Sequence, residues 1–91
     1  MGLDKTLKAL SDKNRRKILL ILRDGRLNAG EILKHFDMSG ATLSYHLSVL
    51  KESGLITEMR KGNFIYYELN TSVFEELMRF VIEFGGQNEG K

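Results

Sequence analysis

The apolar residues of this 91-residue chain change their spacing at Gly54. Before Gly54 they recur every three or four positions, the period of a helix with one buried face. After it they alternate, the period of a half-buried strand. Leu3, Leu7 and Leu10 form one helical stripe, and Ile18, Leu19 and Leu22 a second. Ile32, Leu33 and Phe36 mark a short third helix, and Leu43, Leu47 and Leu50 a fourth. Leu55 to Arg60 and Phe64 to Leu69 then flank Lys61-Gly62-Asn63, which predicts a β-hairpin with a basic tip.

Local signals divide the helices. Asp12 is an N-cap for the second, which Gly25 ends. Asn28 with Glu31 three residues later approximates a capping box, and Leu27 adds a short extended piece. Ser39 opens a helix from Gly40 to about Ser53, stopped by Gly54. Asn70-Thr71 caps a last helix, roughly 72–84, which Gly85-Gly86 is expected to end, leaving residues 85–91 as a frayed tail. The order is ααααββα. This is a mainly α fold with one β-hairpin, a winged helix-turn-helix in a single domain spanning residues 1–91.

Composition narrows the function. The chain has no cysteine, which removes disulfides, thiolate metal sites, cysteine nucleophiles and thiol redox sensing. Its longest apolar run, Ile18 to Leu22, is too short to span a membrane, and the N-terminus lacks a secretory pattern, so a soluble cytoplasmic protein is expected. The net charge of +2 hides an asymmetry. Residues 5–61 hold twelve Lys/Arg against six Asp/Glu, whereas residues 62–91 hold two against five. A basic body beside an acidic C-terminal segment points to a polyanionic partner for the first part alone.

A helix enters the DNA major groove, and its first residues reach base edges. With Leu43, Leu47 and Leu50 inward, Gly40, Ala41, Ser44, Tyr45 and Ser48 face outward. The amides near Ser39 to Thr42 form a natural phosphate site. His46 falls beside the leucines on the helical wheel, and is expected half-buried, bonded to backbone or phosphate. The predicted DNA-contacting set is therefore Ser39, Gly40, Ala41, Thr42, Ser44, Tyr45 and His46, with Arg60, Lys61 and Asn63 of the hairpin tip on flanking phosphates or in the minor groove.

No enzyme is expected. Ser44 and His46 are two apart on a helix and cannot face each other, and Glu75-Glu76 suit a solvated helix face. One histidine per region gives no metal-ligand spacing, so neither a metal nor any other cofactor is expected. The last helix has an apolar band wider than one core-facing stripe. Either Leu77, Phe80 and Phe84 cover the domain while Phe74, Met78 and Val81 meet a second subunit, or the reverse. Leu3 and Leu7 are expected to join that interface, so that a homodimer presents two reading helices about 34 Å apart.

Over roughly residues 5–84 the chain resembles the ArsR-type winged-helix repressors. The resemblance rests on Leu7-Lys8-Ala9-Leu10-Ser11-Asp12, on Arg15 to Leu19, and on Met38 to Leu47 with its Ser44-Tyr45-His46-Leu47 core. It continues in Leu50-Lys51-Glu52-Ser53-Gly54-Leu55-Ile56 and in Arg60 to Leu69. Within the family the chain looks most like the metal-independent SdpR-like autorepressors. The resemblance implies a homodimer through the first and last helices, double-stranded operator DNA near its own promoter as partner, and release by an inducing signal. Metal-sensing members carry paired cysteines where this chain has Asn28 and Gly30, and their other metal sites use histidine on the last helix, which here has none. No regulatory metal is expected by either route, and a titrating partner protein is one way to supply the signal. The alternative from a different class is a winged-helix protein-interaction module without DNA binding.

Overall fold

The Asp12 side chain accepts from the amides of Asn14 (2.7 Å) and Arg15 (3.1 Å), and this cap separates the first two helices. In the computed structural model, which describes residues 2–89 and side chains as far as residue 85, α1 spans Leu3–Leu10 and α2 Lys13–Ile21. A single 3-10 turn, Leu22–Asp24, follows. Next come β1 (Leu27–Asn28), α3 (Ala29–Leu33), α4 (Gly40–Glu52), β2 (Ile56–Lys61), β3 (Phe64–Leu69) and α5 (Thr71–Glu89). The Asn28–Glu31 capping box opens α3 in both directions: Glu31 N–H donates to Asn28 Oδ1, and Asn28 N–H to Glu31 Oε1.

The hairpin gains a third strand. β1 pairs antiparallel with β3, Leu27 opposite Tyr67, so the sheet order is β1-β3-β2 rather than a bare hairpin. Two residues carry too little pattern to register as a strand, and β1 exists only because β3 offers it an edge. Lys61 pairs with Phe64, leaving Gly62-Asn63 as a two-residue turn. Gly62 takes φ +63° at its first position, where glycine relieves the turn of a side-chain clash.

The core is built by Ala9, Ile18, Leu19, Leu22, Ile32, Leu43, Leu47, Leu50, Leu55, Ile56 and Val73. It uses the predicted faces of α2, α3 and α4, but α1 is turned from its expected stripe: Ala9 and Thr6 are buried, Leu3 and Leu10 are half-buried and Leu7 is exposed. That glycine, at φ +85°, closes α4 with Gly54 N–H on Lys51 O and Leu55 N–H on Leu50 O.

The last helix departs from expectation in two ways. It runs through Gly85-Gly86 to Glu89 instead of ending there. Glycine weakens a helix, but it stops one only by turning left-handed, and Gly85 keeps a helical φ. The expected fraying of residues 90 and 91 lies outside the described residues. Of the band, Leu77 is half-buried against α1, as the first proposed division has it, but Phe84 does not cover the domain and Phe74 lies at the core. Val73 is buried and Phe74 packs on the core, while Met78, Phe80, Val81, Ile82 and Phe84 are all exposed. Val73 and Phe74 of the first turn reach the core, and beyond it Leu77 and Phe80 line a small cleft with Leu3 and Thr6 of α1.

Candidate nucleic-acid interface

The turn after α3 leads into Ser39, whose hydroxyl accepts from Thr42 N–H at 3.1 Å and donates to Thr42 Oγ1 at 3.0 Å. That cap fixes where α4 starts and satisfies the Thr42 amide. The amides of Gly40 and Ala41 are the remaining first-turn donors without an intrahelical acceptor. Gly40, Ala41, Thr42, Ser44, Tyr45 and Ser48 are all exposed, so the predicted outward face is the observed one. A Cβ on Gly40 would meet nothing within 4 Å, and its φ is not positive. Neither backbone geometry nor internal packing requires a glycine there.

His46 is placed differently from expectation. It is 7 % exposed, and its Nδ1 lies 3.2 Å from Nη1 of Arg15, itself buried. The ring therefore bonds to an inner side chain, not to backbone or phosphate, and is absent from the outer face. Arg15 also donates through Nε to Ala9 O (2.7 Å) and through Nη2 to Lys8 O (3.3 Å). A guanidinium only donates, so Nδ1 accepts and the imidazole N–H sits on Nε2. The tilted Tyr45 ring stands 5.5 Å from the His46 ring, on the exposed side. Burial pushes the Asp12 carboxyl up, but the Arg15 and Asn14 amides, helped by the Arg15 charge, outweigh this and hold it below its ordinary value.

On the wing, Arg60, Lys61 and Asn63 are exposed as expected. The register separates the two cations. Lys61 shares a face with Phe64 and Tyr66, whereas Arg60 shares the face of Ile65 and Tyr67 that leads back to buried Ile56. Three contacts escaped the sequence reading. Arg26 lies 5.5 Å over the Tyr66 ring with its Nη1 3.1 Å from Met59 Sδ, adding a cation to the sheet. Lys51 and Glu58 pair at 3.2 Å, bridging α4 to the wing. Lys17 Nζ donates to His35 O at 2.9 Å and sits 4.8 Å over Phe36, fastening the helix-turn-helix corner to α2. The partners lie from seven residues apart, for Lys51 and Glu58, to forty, for Arg26 and Tyr66, and nothing local at Lys17, Arg26 or Lys51 announces them.

Of the predicted interface residues, Leu7 (45 % exposed), Met78 and Val81 are free on the surface, and Leu3 is half-buried. Phe74 belongs to the core margin instead.

The profile of bacterial regulatory proteins of the arsR family matches residues 12–58. The chain is 43% identical to the transcriptional repressor SdpR of Bacillus subtilis (strain 168) over 82 residues, 90% of this chain and 91% of that one. It is 38% identical to the arsenical resistance operon repressor of Staphylococcus aureus, covering 80% of this chain and 70% of that one. Among solved structures, an ArsR family transcriptional regulator matches with a TM-score of 0.88 at 26% identity, over 98% of each chain. With its helix-turn-helix and three-stranded wing in place, the chain belongs to the arsR family of bacterial regulatory proteins, which regulate transcription and are not enzymes.

Proposed function

We propose that the chain, as a single winged-helix domain, represses transcription by binding double-stranded operator DNA as a homodimer, and that its own promoter is among its targets. The observation that carries this reading is the outer face of α4. An unneeded glycine, an alanine and two uncommitted first-turn amides stand at its start, and Tyr45 follows one turn on. Small residues let the helix end approach a groove closely, and the amides suit a phosphate. Arg60 and Lys61, on opposite faces of the wing, reach flanking phosphates from two sides.

The exposed apolar residues of α5, with Leu7 on α1, support a second copy as the first partner. Large apolar side chains gathered on one helix mark an interaction surface. The net negative charge of residues 62–91 keeps that segment away from DNA. A partner protein that titrates the repressor would compete for the same band.

A mobility-shift titration on the chain's own upstream region, run at several salt concentrations, tests the reading. Specific retardation that weakens steeply with salt is expected. Absent or salt-independent binding would leave the protein-interaction module as the better account.

A further inference from the structure

A second surface feature lies away from α4 and the wing. Arg16, Leu19 and Leu20 of α2 fall at i, i+3 and i+4, and Arg23 of the 3-10 turn that continues it falls at i+7. Leu19 turns into the core, but Leu20 is 61 % exposed. Opposite them, half-buried Leu10, Leu69 and Phe74 complete an open cleft of about 450 Å³, with Arg16 and Arg23 in its lining. Its surface is almost wholly hydrocarbon, Arg16 and Arg23 lining it with their stems rather than their guanidinium heads.

Those cations are not spent inside the protein. Arg16 uses Nη1 on Leu10 O at 2.7 Å, which holds the side chain at the cleft and leaves its other donors available. The ion pair found among the described residues joins Lys51 to Glu58, elsewhere on the molecule. Burying exposed Leu20 is favourable, and burying it beside two unpaired guanidiniums is favourable only if the occupant brings an anion. A second copy that met this cleft with the same cleft, across a two-fold axis passing through it, would bring the arginines of the two copies together. The volume is that of a small-molecule site.

We propose that the cleft binds an amphiphilic carboxylate of the fatty-acid type, with its hydrocarbon against Leu19, Leu20 and Phe74 and its carboxylate on the Arg16 and Arg23 guanidiniums. The guanidinium fork matches a carboxylate in shape as well as charge. The ligand would touch α2 and the root of α5 at once, which places it against the helix that carries the exposed apolar band. This inference goes beyond DNA binding and does not rest on it.

Decanoate, decanol and decyltrimethylammonium, titrated into the full chain below their micelle concentrations and followed by backbone amide shifts, provide the test. Decanoate is expected to saturate one site, with shifts centred on residues 16–23 and 69–74. Decanol should bind at least about tenfold more weakly, the scale of a charge-assisted hydrogen bond, and the ammonium more weakly still. The Arg16→Gln/Arg23→Gln double variant should lose the preference for decanoate over decanol. Leu20→Glu, at an exposed position that the core does not need, should abolish decanoate binding while the remaining amide spectrum persists. Equal affinity for all three probes, shifts centred on Met78 to Phe84, no saturation, or decanoate binding that survives Leu20→Glu would each overturn the proposal. No DNA enters the measurement, so its failure is separable from failure of the repressor reading.

Discussion

Asp12 and Arg15 sit at the junction of α1 and α2, and each holds more than one neighbour. Asp12 caps α2 with two amide bonds, and removing the side chain in Asp12→Ala is expected to cost about 1 kcal/mol at neutral pH. The native carboxyl is held below its ordinary value, so its contribution is present above the unfolded value near 3.8 and is lost as pH falls through the lower folded value. Wild type and Asp12→Ala should therefore converge in thermal stability only in strong acid; a gap unchanged down to that range contradicts the assignment. At His46 the need is for an acceptor. His46→Leu leaves a buried guanidinium N–H unpaired, for a loss of roughly 1–3 kcal/mol, whereas His46→Gln keeps a carbonyl oxygen for it and should lose less. Urea denaturation of the two variants compares them directly. Asp12 was legible in the sequence because a cap acts on amides two and three residues away. The partner of His46 was not, because Arg15 lies 31 positions earlier and only the packing of α2 on α4 brings them together.

Among the elements, the proposed repressor would read DNA with α4 and hold it with the wing. Gly40→Ala has open space for its methyl group and no positive φ to strain it, so it should raise stability by about 0.4–1 kcal/mol. The same methyl group is expected to weaken operator binding, since it would stand where the proposed contact brings the helix end to DNA. Parallel melting and mobility-shift measurements check both signs, and a stabilised variant with undiminished binding would remove Gly40 from the interface. Tyr45→Ala should alter sequence preference, whereas Lys61→Ala should weaken all sequences alike and reduce the salt slope by roughly one. Binding to specific and random duplexes over a salt series separates the two. The caps and stops of α2, α3 and α4 were readable because short-range chemistry sets them. β1 was not, since two residues become a strand only through a neighbour forty positions away in the chain, at Tyr66 and Tyr67.

For the whole molecule, the apolar band on α5 is the largest feature the isolated chain leaves unsatisfied. Met78 and Val81 remain 58% and 57% exposed, and each such side chain removed from water is worth roughly 1.5–3 kcal/mol. Met78→Glu/Val81→Glu should leave the fold intact, because neither residue belongs to the core, and should shift the chain from dimer to monomer in sedimentation. Operator affinity should fall with it. An unchanged dimer would place the subunit contact elsewhere. The sequence showed that the band was too wide for one partner, but not which residues the core takes. That division depends on where α5 leaves the sheet, and Val73 and Phe74 are the only large apolar side chains of its first turn.

The Arg15 guanidinium also has a thermodynamic meaning. It grips the last carbonyls of α1 with two donors and His46 of α4 with a third. In the proposed dimer, a subunit contact that orders α1 would be felt in α4, and a duplex that orders α4 would be felt at the subunit contact. Linkage makes the effect reciprocal: whatever factor dimerisation adds to operator affinity, the operator must add to dimer affinity.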